Sequence, residues 1–577
     1  MGTAAAGAVM LGAVAGAKSL APHITVAGKK MDIPVAAPAL AAGIPSTWDY
    51  TADVVVVGNG GAGASSAISA YDSGATVLIL EKAPKGLDGG NTGVSGGASG
   101  IFTPLTDMIT IANMACYGLI PLDVVTAFCT QATALPAWLT SLGATTQLAP
   151  RTAGVPPSLY AAYVSPDLNM NNMTIAVPAF SYPTKTQPTG SMGWGSDLFA
   201  FLDNCRVSRG IPILYETPAT QLIQNPLTRE VIGVVATTWT GQGINVRANK
   251  GVILACGGYE YNPEMYSNFA AEQPRTEYQA FAGSPYNTGD GVTMAQQVGA
   301  KLWHMKKRDI PFLAAKVASQ EIGVGVRLGS IGKGCSGATT KPIIYVNRKG
   351  QRFMNEYFST GHQDSTEPYD DFFEGWQAVE GYDYCDWPNI PFYAIFDSTT
   401  MKSGPLPNDT KLSGYWVIHN LYSWSPDNSA ELAQGWIVSA DTPKDLGAKI
   451  TCRDFYGNIV GMDPVGLDAT VTAWNAACAA GVDNAFGRPA KTLHPFVTPP
   501  FYAVELCECP VNTDAGPARD KYSRTLGVNN MPIPRLYNAG ELGSMWGVLY
   551  WGGGNVPEAL GMGRVAGAHA AGLPSWI

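Results

Sequence analysis

The sequence predicts an α/β fold, and three observations carry the prediction. An uninterrupted β-branched run, Asp53 to Val57, has the composition of a strand buried on both faces. Directly after it, Gly58-Asn-Gly60-Gly61-Ala62-Gly63 opens an alanine-rich segment of helical length. A second apolar run, TVLIL, then ends in the acid Glu81. Strand, glycine loop, helix, strand and acid in this order form a Rossmann-like dinucleotide-binding unit.

Each part has a physical task. Gly58 permits the tight turn, Gly60 lets backbone approach a pyrophosphate, and Gly63 lets helix and strand pack closely, with Gly61 and Ala62 completing the loop. The helix N-terminus then faces the phosphates. Glu81, followed by Lys82, is placed at the ribose hydroxyls. A second glycine- and Ser/Thr-rich loop runs from Lys85 to Phe102, KGLDGGNTGVSGGASGIF. A nicotinamide site does not need one, whereas an FAD site uses such a loop to wrap the pyrophosphate and reach the flavin. Gly89, Gly90, Asn91, Thr92, Ser95, Gly96 and Gly97 are its candidate cofactor residues. Two later strands also end in glycines: VILACGG, giving Cys256, Gly257 and Gly258, and RLYNAGELG, giving Gly540 and Glu541. Glu541 suits the ribityl hydroxyls. Asn555 and Val556 open a helix whose N-terminus can aim at the flavin pyrimidine. Ala219 completes the predicted cofactor set, and FAD is the predicted cofactor.

Composition limits the alternatives. A chain of 577 residues exceeds one simple core, so more than one domain is expected. With 46% hydrophobic and 14% charged residues it reads as globular rather than disordered. A net charge of −9 and the lack of any basic run exclude nucleic acid as an expected partner. The ten cysteines form no C-x-x-C pair, which leaves no structural zinc, other metal centre or attached c-type haem to expect. Cys507 and Cys509, a C-x-C, read as plain buried thiols. The N-terminal MGTAAAGAVMLGAVAGAKSL resembles the apolar part of an export signal without its basic start, too short and weakly apolar for a membrane span. Export to the periplasm or cell envelope follows if it is a truncated signal; otherwise a cytoplasmic protein is expected. Residues 1–45 are set apart as a signal remnant or disordered tail, and no later segment indicates a membrane.

VVVVGNGGAGASSA, GGNTGVSGG, KGVILACGGYEYNPEM, SPYNTGDGVTMAQQVGAKLW, YVNRKGQRFMNE and AGELGSMWGVLYWGGGNVPEALGMGRVAG together resemble the flavoprotein family that joins soluble fumarate reductases with 3-ketosteroid dehydrogenases. The resemblance runs from about Trp48 to the end. It implies an FAD domain interrupted by an α+β capping domain: FAD domain from 46 to 310 and again from 490 to 577, with the cap between 311 and 489. It also implies hydride exchange between flavin N5 and a carbon of a C=C bond conjugated to a carbonyl.

Within that family, fumarate reductases clamp carboxylates with arginines, which offer paired donors. The segment GCSGATTKP, where a proton-donating arginine would precede the cap strand, contains none. Tyr550 or Trp551 stands where the carboxylate-binding arginine would be. Ketosteroid dehydrogenases instead carry a tyrosine and a glycine four residues on, the spacing of Tyr550 and Gly554. A phenol O–H and a backbone N–H can both donate to a carbonyl oxygen as an enolate forms. Trp551 would add an apolar wall, and the alternative is that both rings simply pack the cap interface. The early-helix tyrosine of those enzymes aligns with Phe128, so the second proton-handling group stays open among Tyr345, Tyr357, His362 and Tyr259. His304, His419 and His494 read as structural, as do Arg352 and Glu356, while Arg327 and Lys333 read as surface or cap charges. Arg519 has no assigned role. GGNTGVSGG lacks the histidine that tethers FAD in some relatives, so noncovalent FAD is expected. No haem or iron–sulfur spacing is present, so an external electron donor or acceptor is expected besides a small-molecule substrate. The favoured substrate is a bulky apolar enone or ketone, acted on by an ene reductase or dehydrogenase. The alternatives are a small unsaturated acid of the fumarate, urocanate or cinnamate type, and a flavin carrier without chemistry of its own.

Overall fold

A computed structural model of the chain describes residues 23–26, 29–32, 43–97, 99–101, 104–150, 176–181, 194–270, 280–309, 312–316, 323–327, 341–356, 377–378, 385–386, 389, 391–407, 419, 422–453, 458–547 and 553–576. Two sheets dominate it.

The first sheet begins with β1 (Tyr50–Val57), whose Val54, Val55 and Val56 are wholly buried. Helix α1 (Gly61–Asp72) returns the chain to β2 (Val77–Leu80), which lies parallel to β1 with Val54 opposite Val77. Helix α2 (Leu122–Ser141) follows, and then β3 (Ile213–Leu214) extends the parallel edge. An antiparallel hairpin, β4 (Ala219–Gln224) and β5 (Val231–Thr237), leads into the long β6 (Gly243–Leu254). The first half of β6 pairs antiparallel with β5, and its second half runs parallel to β1 up to Leu254 opposite Val57. One strand thus joins the hairpin to the parallel sheet. The prediction for β1, α1 and β2 holds in order and in place.

The second sheet is mostly antiparallel. It contains β7 (Phe312–Lys316), β8 (Gly323–Arg327), β9 (Ile344–Asn347), β10 (Phe392–Asp397), β11 (Ile437–Ala440) and β12 (Phe501–Cys509). Strand β12 is central, pairing with β7, β10 and β11. It comes from beyond residue 490, so the chain reserved by sequence for the returning FAD domain first supplies the middle of this sheet. Behind it packs α3 (Pro464–Ala480), through Leu467, Val471 and Trp474. Glu356 takes two hydrogen bonds from Arg352, at 2.8 Å each, and a third from Arg488 at 3.2 Å; Asp483 takes one from Arg352 at 3.0 Å. Both guanidinium groups lie over the Trp474 ring. This buried network explains the R-F-x-N-E motif as a structural one.

The chain then returns to the first sheet as β13 (Pro532–Asn538), parallel to β6, and ends in α4 (Asn555–Ala571). Helices α1 and α4 cross on one face of the sheet, where Val54, Val56, Ile253 and Tyr537 meet Ala67, Ala566 and Ala570. Their approach depends on missing side chains. A Cβ on Gly563 would lie 2.3 Å from Ser65 Oγ, and one on Gly567 would lie 2.2 Å from the Ser66 carbonyl oxygen. Ser69 Oγ also donates to the Arg564 carbonyl at 3.0 Å. The contact brings the two helix N-termini, after Gly60 and after Gly554, to the same end of the sheet. No helix among the described residues is long and apolar enough to cross a membrane.

Since the oxygen facing Gly567 is backbone and cannot rotate away, Gly567→Ala is expected to lose about 1–3 kcal/mol by overpacking. Chemical denaturation should show a lower midpoint, with the flavin-retention ratio falling in parallel as the helix N-termini move apart.

Candidate active site

The first glycine loop is set by backbone contacts. Gly58 has φ +100°, and a Cβ there would lie 2.4 Å from the Ala255 carbonyl oxygen; one on Gly63 would lie 1.9 Å from the Gly58 carbonyl oxygen. Both positions exclude any larger residue. Gly60 faces more open space and forms a parallel bridge with Gly89, so the two predicted loops touch. The Gly61 N–H donates to Thr92 Oγ1 at 3.2 Å, bracing α1 against the second loop. Gly89 and Gly90 both have positive φ, Ser95 Oγ donates to the Thr92 carbonyl at 2.9 Å, and the Gly97 N–H donates to Ser95 Oγ. Around Gly96 nothing lies within 4 Å of the Cβ position.

Acids surround the loops. Glu81 accepts from the backbone N–H of Asn59 at 2.6 Å and of Ala83 at 2.7 Å. Burial pushes its carboxyl up, and those two N–H groups pull it back. Asp88, not singled out by sequence, accepts from Asn59 Nδ2 at 2.8 Å and from the Gly86 N–H at 3.0 Å. Lys82 is turned to Asp290 at 2.8 Å and Thr288 at 2.6 Å. Ala219 is buried at the start of β4, opposite Ala236. Burial raises the Cys256 thiol, which points to the Val57 carbonyl and is no candidate nucleophile. A Cβ on Gly257 would meet Asn287 Oδ1 at 2.4 Å, and one on Gly258 would fall among Thr513 Oγ1, Glu260 Oε2 and Glu541 Oε1.

The closing turn, Gly540–Gly547, hangs on a buried ion pair. Arg519 pairs with Glu558 of α4, and both are about 1% exposed. Arg519 also donates to the Gly540 carbonyl at 3.1 Å. Glu558 accepts from Ser544 Oγ at 2.6 Å and from the Met545 N–H at 2.8 Å. Burial raises the Glu558 carboxyl, and Arg519 opposes that rise. His304 donates from Nε2 to the Ser544 carbonyl at 2.6 Å and stacks on Trp303. Burial lowers its pKa to about 4, so it is neutral near pH 7. Arg519 and His304 are therefore anchors of this turn.

Past the turn, Trp546 meets Phe128 of α2 edge-on at 5.4 Å. A Cβ on Gly554 would lie 2.5 Å from Trp546 Cζ2, so that glycine sits flat against the indole. The Gly100 N–H donates to the Gly553 carbonyl at 2.7 Å, tying the second predicted loop to the head of α4. Asn555 and Val556 form the first turn of that helix, and Val556 is buried. Tyr550 and Trp551 lie outside the described residues, as do Tyr357 and His362. Tyr345 is buried on β9 and packs edge-on against Phe392, inside the second sheet's core. Tyr259 is wholly buried, with its hydroxyl on the Met305 carbonyl.

The cradle fits a dinucleotide. Its glycines leave room where a Cβ would intrude, two helix N-termini converge on it, and Asn59 Oδ1, Ser99 Oγ and Glu541 Oε1 are closed to solvent without a hydrogen-bond partner. Glu260 was missed by sequence, although GGYEYN places an acid two residues after the glycine pair.

Removal of the Arg519 charge would leave Glu558 buried and uncompensated, so Arg519→Met is expected to lose about 3–5 kcal/mol. The Glu558 carboxyl would then sit further above its unfolded value. Stability is fully present below the ordinary carboxylate range near pH 4 and lost as pH rises through the raised value. Denaturation curves should therefore show the deficit growing from acid towards neutral pH, and the Arg519→Met/Glu558→Leu double variant should regain much of it.

The sequence profile of the FAD binding domain family matches residues 53–556. Digoxin reductase of Eggerthella lenta is 25% identical over 92% of this chain and 88% of its own length. A cytochrome-type fumarate reductase of Shewanella frigidimarina is 26% identical over 92% of this chain and 79% of its own. The crystal structure of 3-ketosteroid delta1-dehydrogenase from Sterolibacterium denitrificans, in complex with 1,4-androstadiene-3,17-dione, aligns with a TM-score of 0.67 at 22% identity, over 90% of this chain and 99% of that one, a likeness of fold. Matched by its profile over most of its length, the chain belongs to the FAD binding domain family and is an FAD-dependent oxidoreductase of the fumarate reductase and 3-ketosteroid dehydrogenase group, acting on CH–CH bonds.

Proposed function

We propose that this oxidoreductase acts on a bulky, largely apolar enone or ketone, with the carbonyl gripped by the Tyr550 hydroxyl and the Gly554 N–H. FAD, when bound, would supply the two-electron chemistry, exchanging hydride with the carbon β to the gripped carbonyl while the α carbon exchanges a proton. The observation that carries this reading is the state of Arg519. Among the described residues it is an arginine bound directly to the closing turn, and its guanidinium is committed to Glu558 and the Gly540 carbonyl, which leaves it unfit to clamp a substrate carboxylate. Behind Gly554, Trp546 and Phe128 belong to a buried apolar core that backs the head of α4. A phenol and an N–H at the head of α4, where the first helical N–H groups have no helical partner, would stabilise the enolate oxygen. The match to digoxin reductase over most of both chains supports the same substrate class.

A small unsaturated acid is the second reading, favoured by the similar match to the Shewanella fumarate reductase. It needs a cation other than Arg519; Arg327, whose side chain lies outside the described residues, and Lys333, wholly outside them, are the available ones. We further propose that FAD is noncovalent, that an external donor or acceptor exchanges electrons with it, and that the apolar N-terminal stretch serves export.

Anaerobic stopped-flow reoxidation of the reduced, FAD-loaded protein tests the reading. A 3-keto-4-ene steroid should reoxidise it rapidly, and Tyr550→Phe should slow that step about 10²–10³-fold, the usual loss for one oxyanion donor. Reoxidation by fumarate alone would favour the second reading.

A further inference from the structure

Behind the flavin cradle two carboxyl groups meet without a cation. Asn91 Nδ2 donates to Glu260 Oε1 at 2.9 Å and to Glu541 Oε2 at 2.9 Å, so one amide nitrogen touches both acids. The other oxygens are close as well. Glu260 Oε2 and Glu541 Oε1 lie 2.4 and 2.5 Å from the same point, the Cβ position that Gly258 lacks. Glu260 is wholly buried, and Glu541 Oε1 is closed to solvent with no hydrogen-bond partner.

Hydrogens are too few for two carboxylates. The Asn91 amide has two, yet Nδ2 faces three acceptors, the third being the Val511 carbonyl at 3.1 Å. Asn287 Nδ2 gives Glu260 one bond at 2.7 Å, and Thr513 Oγ1 gives a weaker one at 3.2 Å. Among the described residues, no lysine, arginine or histidine is a hydrogen-bond partner of either acid. Asp514, the remaining acid beside them, opposes ionisation of Glu541, and the buried Tyr259 phenol adjoins Glu260. Arg308, a cation that acts on Tyr259, has its guanidinium on the Ala270 carbonyl, and Arg519 is bound to Glu558. Two like charges this close and this dry cannot both persist.

We propose that Glu260 and Glu541 hold one proton between them at neutral pH. The O–H fills the contact that Glu541 Oε1 otherwise lacks, and the pair carries one negative charge. Burial raises both carboxyls, and repulsion from Glu260 and Asp514 raises Glu541 further. Glu260 is thereby a positioning residue: through the shared proton it fixes the charge and the donor pattern that Glu541 presents to the cofactor. A second negative charge on this wall would oppose a cofactor that itself carries two phosphates. FAD binding and retention of the proton are accordingly linked.

The test uses the FAD-bound protein and needs no substrate, so it stands apart from the reading of the substrate given above. Infrared spectra of the wild type at neutral pH should contain a protonated-carboxyl C=O band that is missing from both Glu260→Gln and Glu541→Gln. Flavin fluorescence titrations should show the wild-type FAD dissociation constant rising about tenfold, or 1.4 kcal/mol, from neutral to alkaline pH. In Glu260→Gln, whose amide replaces the protonated carboxyl as donor, the constant should stay nearly flat. A wild-type spectrum without the band would overturn the proposal, with cofactor hydroxyls then meeting a fully ionised Glu541. A band unchanged in either variant, or the same pH dependence in Glu260→Gln as in wild type, would overturn it equally.

Discussion

The ion pair between Arg519 and Glu558 is the interaction on which the site depends. It joins the segment before β13 to α4, and it holds the closing turn through the Gly540 carbonyl, the Ser544 hydroxyl and the Met545 N–H. Helix α4 is in turn pressed onto α1 through Gly563 and Gly567. The position of α1 relative to the second loop is fixed by Gly61 and Thr92. Loss of the charge pair would release the turn that leads into Val548–Gly552, and with it the chain carrying the proposed carbonyl grip. A buried ion pair is weak evidence for net stability. Its contribution here is geometric, because each oxygen of Glu558 also accepts from the turn.

The cradle follows from backbone as much as from side chains. Gly58 and Gly63 stand where carbonyl oxygens leave no space for a Cβ, and Gly257 and Gly258 stand where Asn287, Thr513 and the two acids converge. Polar side chains then stitch distant segments together: Asn91 reaches Glu260, Val511 and Glu541, and its carbonyl accepts from the Ser284 N–H at 2.7 Å. One short loop thereby sets the relative position of three strand ends. Phe128 and Trp546 lie in the buried apolar core that backs Gly554. The proposed ketone or enone reading rests on that backing together with the commitment of Arg519 to Glu558.

What could be read from sequence was local. The unit from β1 to Glu81 was legible because each requirement (buried strand, tight turn, close helix, terminal acid) falls on consecutive residues. The glycine pairs at 257–258 and 89–90 were legible for the same reason, and so was the structural character of Arg352 and Glu356. Partnerships across the chain were not. Arg519 and Glu558 are 39 residues apart and Asn91 and Glu541 are 450 apart, and no local pattern announces either contact. Lys82 looked like part of the cofactor set and is turned to Asp290 instead, a partner 208 residues on. Strand β12 has no nucleotide signature, yet its place at the centre of the second sheet is fixed only by pairing with β7, β10 and β11.

The proposed function requires this site to recognise a carbonyl on an apolar body and not a pair of carboxylates. Difference absorption titration of the oxidised, FAD-bound protein measures that recognition without turnover. A 3-keto-4-ene steroid should perturb the flavin band saturably, and fumarate should leave it unchanged up to much higher concentration. Saturable perturbation by fumarate with none by the steroid would contradict the account.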